Sequence, residues 1–207
     1  MIYTEQFLVK NIEIAYLSLS AGLGLSHIAV INKELIETNI ADLSLYAGND
    51  FVAHFSKEWQ ILAVEEGVLK NFVIINSLRT IFATLCEGME NNSQFKDKVN
   101  IELLRNDDDS FHTCIKLLRN IYSHDFTYFS QNDIIIKKKD YDKMVEYRIK
   151  NNLSLELNFQ TDYCKVSLNL NDLEEGLLLN NYISNRTQYM LAETGYALAM
   201  NIKNGNL

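Results

Sequence analysis

The sequence predicts a mainly α-helical fold, a helical bundle with a small β-hairpin insertion before a last long helix. Three observations carry that reading. Apolar residues recur at helical spacing, most cleanly at Phe111, Ile115, Leu118 and Tyr122, which fall at i, i+4, i+7 and i+11. Proline is absent from all 207 residues, which is compatible with long uninterrupted helices because proline breaks helix interiors. Sustained apolar–polar alternation is confined to one region, Leu153–Phe159 and Val166–Leu170, around Thr161-Asp162-Tyr163. That is the pattern of a β-hairpin.

Taken in order, residues 3–18 read as a first helix. Phe7, Ile12, Ile14, Tyr16, Leu17 and Leu19 are dense enough that a strand is an alternative, and Gly22-Leu23-Gly24 is expected to interrupt the element. Residues 27–40 read as a second helix, with Ile28, Ile31, Leu35 and Ile36 at helical spacing. Turn residues follow from Asp42 to Asp50, most clearly Gly48-Asn49-Asp50. Residues 54–90 hold the longest helical signal. Ser56 marks its start, Gly67 is expected to bend or divide it, and Gly88 to stop it. Residues 91–109 are polar and read as a connection with one short apolar piece, Val99–Leu104. Asp107-Asp108-Asp109 suit the positive N-terminus of the helix that starts at Ser110.

Beyond that helix the period changes. Ile134-Ile135-Ile136 is a short β-like run, residues 140–150 are a short helix or a third strand, and the hairpin follows. Asn171-Asp172 caps a last helix over residues 173–202. The chain reads as one domain over residues 1–207, with a bundle core of residues 1–130 and 172–203 and an insertion of residues 134–170.

Composition narrows the function classes. Hydrophobic content of 47% and charged content of 22% are those of a globular chain rather than a disordered one. A net charge of −8 does not draw nucleic acid by bulk attraction, so a nucleic-acid role has to act through a local site. Lys137-Lys138-Lys139 is the one basic run and reads as a solvated turn. Cys86, Cys114 and Cys164 are odd in number and far apart, which speaks against a disulfide framework or zinc knuckle and for small buried thiols. His27, His54 and His112 share no metal-ligand spacing and read as structural. No metal and no cofactor are therefore expected. The first residues lack the basic start and apolar run of a signal peptide, and no stretch reaches the ~18 uncharged apolar residues of a membrane span. A cytoplasmic protein without a membrane partner is expected. Gly22-Leu23-Gly24 is a break between elements rather than a phosphate loop, and no P-loop, Gly-x-Ser-x-Gly, His-Glu-x-x-His or Cys-x-x-Cys motif is present.

The remaining chemistry gathers at Leu117–Phe126, the end of the amphipathic helix. Arg119 offers a permanent cation, Asn120 an amide donor, and His124 a group that takes and gives protons near neutral pH. Those are the parts required to cleave an RNA phosphodiester without a metal. A base takes the ribose 2′-OH proton, a cation and a donor stabilise the phosphorane, and an acid protonates the leaving 5′ oxygen. As structural groups, Arg119 would instead form a bundle-edge ion pair and His124 a helix C-terminal cap. The aromatic set Tyr122, Phe126, Tyr128 and Phe129 reads as core rather than as a base-stacking platform.

The segment Arg119-Asn120-Ile121-Tyr122-Ser123-His124 resembles the Arg-x(4–6)-His motif of HEPN domains, in which a polar residue commonly follows the arginine. The resemblance covers the motif and its helical context, residues 54–130. It implies a HEPN-like helical bundle and, in many members, a metal-independent endoribonuclease serving as a toxin or anti-phage defence effector. It also implies RNA as substrate, an antitoxin protein as a further partner, and catalytic roles for Arg119, Asn120 and His124. Other members have lost the motif and serve as binding scaffolds for a protein partner, nucleotide or RNA. A second pair, Arg105-Asn106 with His112, straddles the Asp107–Asp109 run, whose carboxylates oppose phosphate binding.

Positions five apart on a continuous helix lie about 140° around its axis. Arg119 then borders the apolar stripe while Asn120 and His124 occupy the polar face. Either the helix unwinds near Ser123 or the site is shared across a dimer. The resemblance implies the second, two motifs facing each other across a twofold axis, so a homodimer is expected. Where related toxins paired with nucleotidyltransferase antitoxins often carry a tyrosine two residues after the histidine, this chain has Phe126, which has no hydroxyl to modify. A third reading assigns the interaction to the hairpin of an unrelated helical protein.

Overall fold

The computed structural model describes residues 4–31, 43–47, 50–56, 67–103, 109–124 and 130–206, with backbone alone at 25–31, 43–47, 50–55, 69, 101–102 and 124. In these residues the fold is mainly helical, with a two-stranded antiparallel hairpin before the last long helix. The elements are α1 (Glu5–Ile31), β1 (Leu43–Ala47), β2 (Asp50–Phe55), α2 (Val68–Asn91), α3 (Ser93–Glu102), α4 (Ser110–His124), α5 (Lys138–Lys150), β3 (Glu156–Gln160), β4 (Lys165–Asn169), α6 (Leu179–Tyr182) and α7 (Asn185–Lys203). Helix α1 packs along α2 and α7, and α2 also packs against α4.

Several expected boundaries move. Helix α1 runs straight through Gly22-Leu23-Gly24. A β-carbon at position 22 would stand 2.8 Å from Val73 Cγ1, so the glycine serves close approach of α1 to α2 rather than a break. The expected helix over 27–40 is replaced at 27–31 by the end of α1, and its remainder lies outside the described residues. Residues 43–47 and 50–55 pair as antiparallel strands, β1 with β2, where a turn and a helix start were expected. Helix α2 begins at Val68, with Gly67 at its N-cap. Trp59, Leu62 and Ala63 lie outside the described residues.

Gly88 does not end α2, which continues to Asn91. It is instead a seat for the next helix, because a β-carbon there would lie 2.8 Å from two ring carbons of the buried Phe95 and 3.2 Å from Leu8 Cδ1. Residues 93–102 form α3 rather than a connection. Asn92 starts it, its side-chain oxygen accepting from the Phe95 amide at 3.0 Å. Gly88→Ala is expected to lower stability by about 1–3 kcal/mol through overpacking. Gly24→Ala, on the same kind of helical backbone with nothing within 4 Å, is expected to raise stability by about 0.5–1 kcal/mol through helix propensity. Urea titration of the two variants reads opposite signs; equal signs would show that Gly88 is not tightly packed.

Ile134–Ile136 forms no regular strand but is bonded to the chain at 176–179: Ile135 bridges Leu178, the Ile136 amide donates to the Leu177 carbonyl at 2.8 Å, and the Leu179 amide donates to the Ile134 carbonyl at 2.8 Å. Ile134 and Ile136 are nonetheless buried. Residues 138–150 are helical. Asp140 accepts from the Lys137 amide at 2.8 Å and so starts α5 within the lysine run. Lys138 and Lys139 are exposed, as expected, but on a helix. The expected hairpin forms as β3–β4, with Leu157 opposite Leu168 and Phe159 opposite Val166. Phe159 meets Phe111 of α4 edge-on at 5.5 Å between ring centroids. The last helix starts later than residue 173, at Asn185, because Ser184 caps it by accepting from the Thr187 amide at 3.1 Å.

Among the described residues one segment, Lys70–Asn91, is long and apolar enough to cross a membrane by length and composition. Its Ile74, Leu78, Ile81, Phe82, Leu85, Cys86 and Met89 are buried in the bundle core.

Candidate functional site

Helix α4 positions the candidate side chains. Its stripe Phe111, Ile115, Leu118 and Tyr122 is buried, as are Cys114, Leu117 and Ile121 beside it. That wide apolar arc fixes how the helix is rotated and turns Lys116, Arg119 and Asn120 outward. They face a groove of about 1020 Å³ between α4 and α5, whose far wall includes Lys139, Asp140 and Lys143.

Arg119 and Asn120 lie side by side. Arg119 Nη1 donates to Asn120 Oδ1 at 3.0 Å, and Nη2 donates to Glu87 Oε1 at 2.8 Å. Asn120 Nδ2 donates to the Asp140 carbonyl at 2.9 Å and so ties α4 to the first turn of α5. The long arginine stem lets the guanidinium reach Asn120 although its Cα borders the apolar stripe. Partial burial acts to lower the Arg119 pKa, but the bond to Glu87 and the nearby Glu90 charge outweigh it and hold the guanidinium above its ordinary value. Arg119 is thus a bundle-edge ion pair and a groove-facing cation at once.

The backbone of α4 stays helical through His124, so the helix does not unwind at Ser123. The side chain of His124, and Arg105, Asn106, Phe126, Tyr128 and Phe129, lie outside the described residues. Behind the motif a buried polar cluster anchors the end of α4. Tyr122 donates its hydroxyl proton to Gln188, Tyr189 donates to Gln131 at 2.6 Å, and Gln131 donates to the Gln188 carbonyl oxygen at 3.1 Å. Burial raises the Tyr122 pKa, so the hydroxyl stays a neutral donor.

No protein-family model, curated protein or solved structure matches the chain. Function has to be read from the site itself.

Sequence reasoning missed Glu87, Glu90 and Asp140. A signal for the first two exists. Glu87 and Glu90 are three apart on α2, and Lys116 and Arg119 are three apart on α4. Lys116 donates to Glu90 as Arg119 donates to Glu87, an antiparallel ladder between two amphipathic helices. Burial raises the Glu90 pKa, but the bond to Lys116 together with the neighbouring cations more than offsets this and leaves it below the ordinary range. One group in the described residues has metal-ligand chemistry, Cys86, Glu90 and His112. His112, read from sequence as structural, also contacts Asp109 Oδ1 through Nδ1 at 3.1 Å. Cys86 and Cys114 are free and buried, and burial pushes both thiols up to about 12.

Proposed function

We propose that the chain is a HEPN-type, metal-independent endoribonuclease that acts as a homodimer in the cytoplasm, as a toxin or anti-phage defence effector. The observation that supports it is the Arg119–Asn120 pair held toward the groove, on the helix that His124 closes. In this reading His124 carries the proton chemistry, Arg119 neutralises the phosphorane, and Asn120 donates to it or holds Arg119 in place. The ribose 2′ oxygen attacks phosphorus, the P–O5′ bond breaks, and the 5′ oxygen takes up a proton. The products are a 2′,3′-cyclic phosphate and a 5′-hydroxyl. RNA and an antitoxin protein are the proposed partners.

One observation favours a second reading, a non-catalytic HEPN-like domain that binds a protein partner, nucleotide or RNA. Arg119 already has a carboxylate, and phosphate has to displace Glu87 to reach it. The deciding experiment incubates purified protein with RNA in EDTA and maps the ends. Cyclic-phosphate ends formed at full rate support the ribonuclease; cleavage that needs a divalent ion, or none at all, overturns it. In the same assay Glu87→Gln removes the competing charge. It is expected to raise cleavage at subsaturating RNA by at most about fivefold, because a half-exposed pair of this kind is worth about 0.2–1 kcal/mol. A lower rate at subsaturating RNA would show that Glu87 positions Arg119 rather than competing for it.

A further inference from the structure

Three side chains of ligand chemistry converge on the seam between α2 and α4, beside the Arg119–Glu87 pair and outside the motif. Cys86 and Glu90 are four apart on α2 and project from one face. His112 meets them from the first turn of α4. The Cys86 sulfur, a Glu90 carboxylate oxygen and a His112 ring nitrogen lie within 4.8 Å of one another. His112 Nε2 stands 3.8 Å from Glu90 Oε1.

Two further observations point to a ligand. His112 Nε2 is buried with no hydrogen-bond partner, a rare condition for a polar atom in a protein interior. The other ring nitrogen faces Asp109 Oδ1 at 3.1 Å. The Nδ1 contact with Asp109 leaves Nε2 as the ring nitrogen that faces Glu90 and Cys86. A carboxylate on the far nitrogen is how metal-binding imidazoles are oriented.

We propose that Cys86, Glu90 and His112 form a binding site for a divalent transition-metal ion, zinc above all. Thiolate, carboxylate and imidazole are zinc ligands, and three protein ligands leave a fourth position for water. The thiolate disfavours magnesium and calcium, which take oxygen ligands. Tetrahedral bonds of about 2.0–2.3 Å set ligand atoms about 3.3–3.8 Å apart, so the trio closes by no more than about 1–1.5 Å around an ion of that size. Glu90 and His112 border solvent and give the ion its way in, while Cys86 is fully buried behind them. Binding forms the metal–sulfur bond as the thiol proton leaves to solvent. The thiolate and carboxylate then balance the two positive charges of the ion, and Glu90 shares its carboxylate with Lys116. An occupied site clamps α2 to α4 next to the pair that holds Arg119.

Cobalt(II) is the probe. Titrated into reduced protein, it is expected to give a thiolate-to-cobalt charge-transfer band that saturates at a single ion per chain and that zinc removes. Cys86→Ala is expected to abolish the band and Cys164→Ala to keep it. Because Cys86 is buried, Glu90→Gln and His112→Gln supply a second reading at the solvent edge. Each is expected to weaken zinc at least about tenfold, and Asp109→Asn about 10–100-fold, with the circular dichroism of the parent. A folded, reduced protein with no band, a band that survives Cys86→Ala, or unchanged zinc affinity in His112→Gln overturns the site. The titration reads metal directly, so its outcome is separate from that of the cleavage assay.

Discussion

Alanine at position 124 is expected to slow RNA cleavage by about a hundred- to ten-thousand-fold, the range that positioned proton transfer contributes. The fold should survive, because a histidine at a helix C-terminus contributes about 1 kcal/mol or less through the dipole. Arg119→Ala is expected to cost about a hundred- to a thousand-fold, the loss typical of one donor at a developing oxyanion. Arg119→Lys should recover little of it. Lysine keeps the charge but loses the fork that reaches Asn120 and Glu87 together. A mixture of the two alanine proteins tests the shared site. If the arginine of one subunit works with the histidine of the other, each mixed dimer holds one intact pair, and mixing two inactive proteins restores cleavage. No recovery after subunit exchange would place both groups in one chain. Undiminished cleavage by His124→Ala would remove the histidine, and with it the ribonuclease reading as drawn.

What the sequence disclosed follows from which interactions are local. The α4 stripe and the β3–β4 alternation were legible because their periods are set by backbone geometry, and all four stripe residues are buried as their spacing requires. Glycine was misread because its local meaning, a break, competes with a tertiary one. Gly22 and Gly88 lie inside helices, where Val73 and Phe95 occupy the space of the missing side chain. Residues 91–109 looked like a loop because they are polar, yet Phe95 and Val99, four apart and buried, dock α3 onto the core. Within the site, Arg119 and Asn120 were legible as residue types. Their restraint by Glu87 and by the Asp140 carbonyl was not, since those contacts span 32 and 20 residues. The Cys86, Glu90 and His112 trio is silent for the same reason: it assembles from two helices and leaves no regular ligand spacing.

Arg148 carries the same lesson into stability. It sits between Tyr147 and Ile149 in a helix rich in lysine and acidic residues, yet it is 1% exposed. Its Nη1 donates to the Thr113 hydroxyl at 2.8 Å and its Nε to the Ser154 carbonyl. The Arg148 carbonyl accepts from the Leu153 amide at 2.9 Å. One side chain therefore joins α5 to α4 and to the strand entry that follows. Methionine at 148 fills a similar volume but donates nothing, and leaves the buried Thr113 hydroxyl and the part-buried Ser154 carbonyl without their donor, at about 1–3 kcal/mol for each acceptor kept from water. The expected loss is about 3 kcal/mol, a fall in melting temperature of about 6–12 °C for a chain of this size. Arg186→Met, at an exposed position, is the control and is expected to change stability by no more than about 0.5 kcal/mol. Equal melting temperatures for the two variants would mean that the Arg148 bonds contribute nothing net. The expected difference would make Arg148 the pin that holds α5 against α4, and hence the wall that keeps the groove in front of Arg119 in shape.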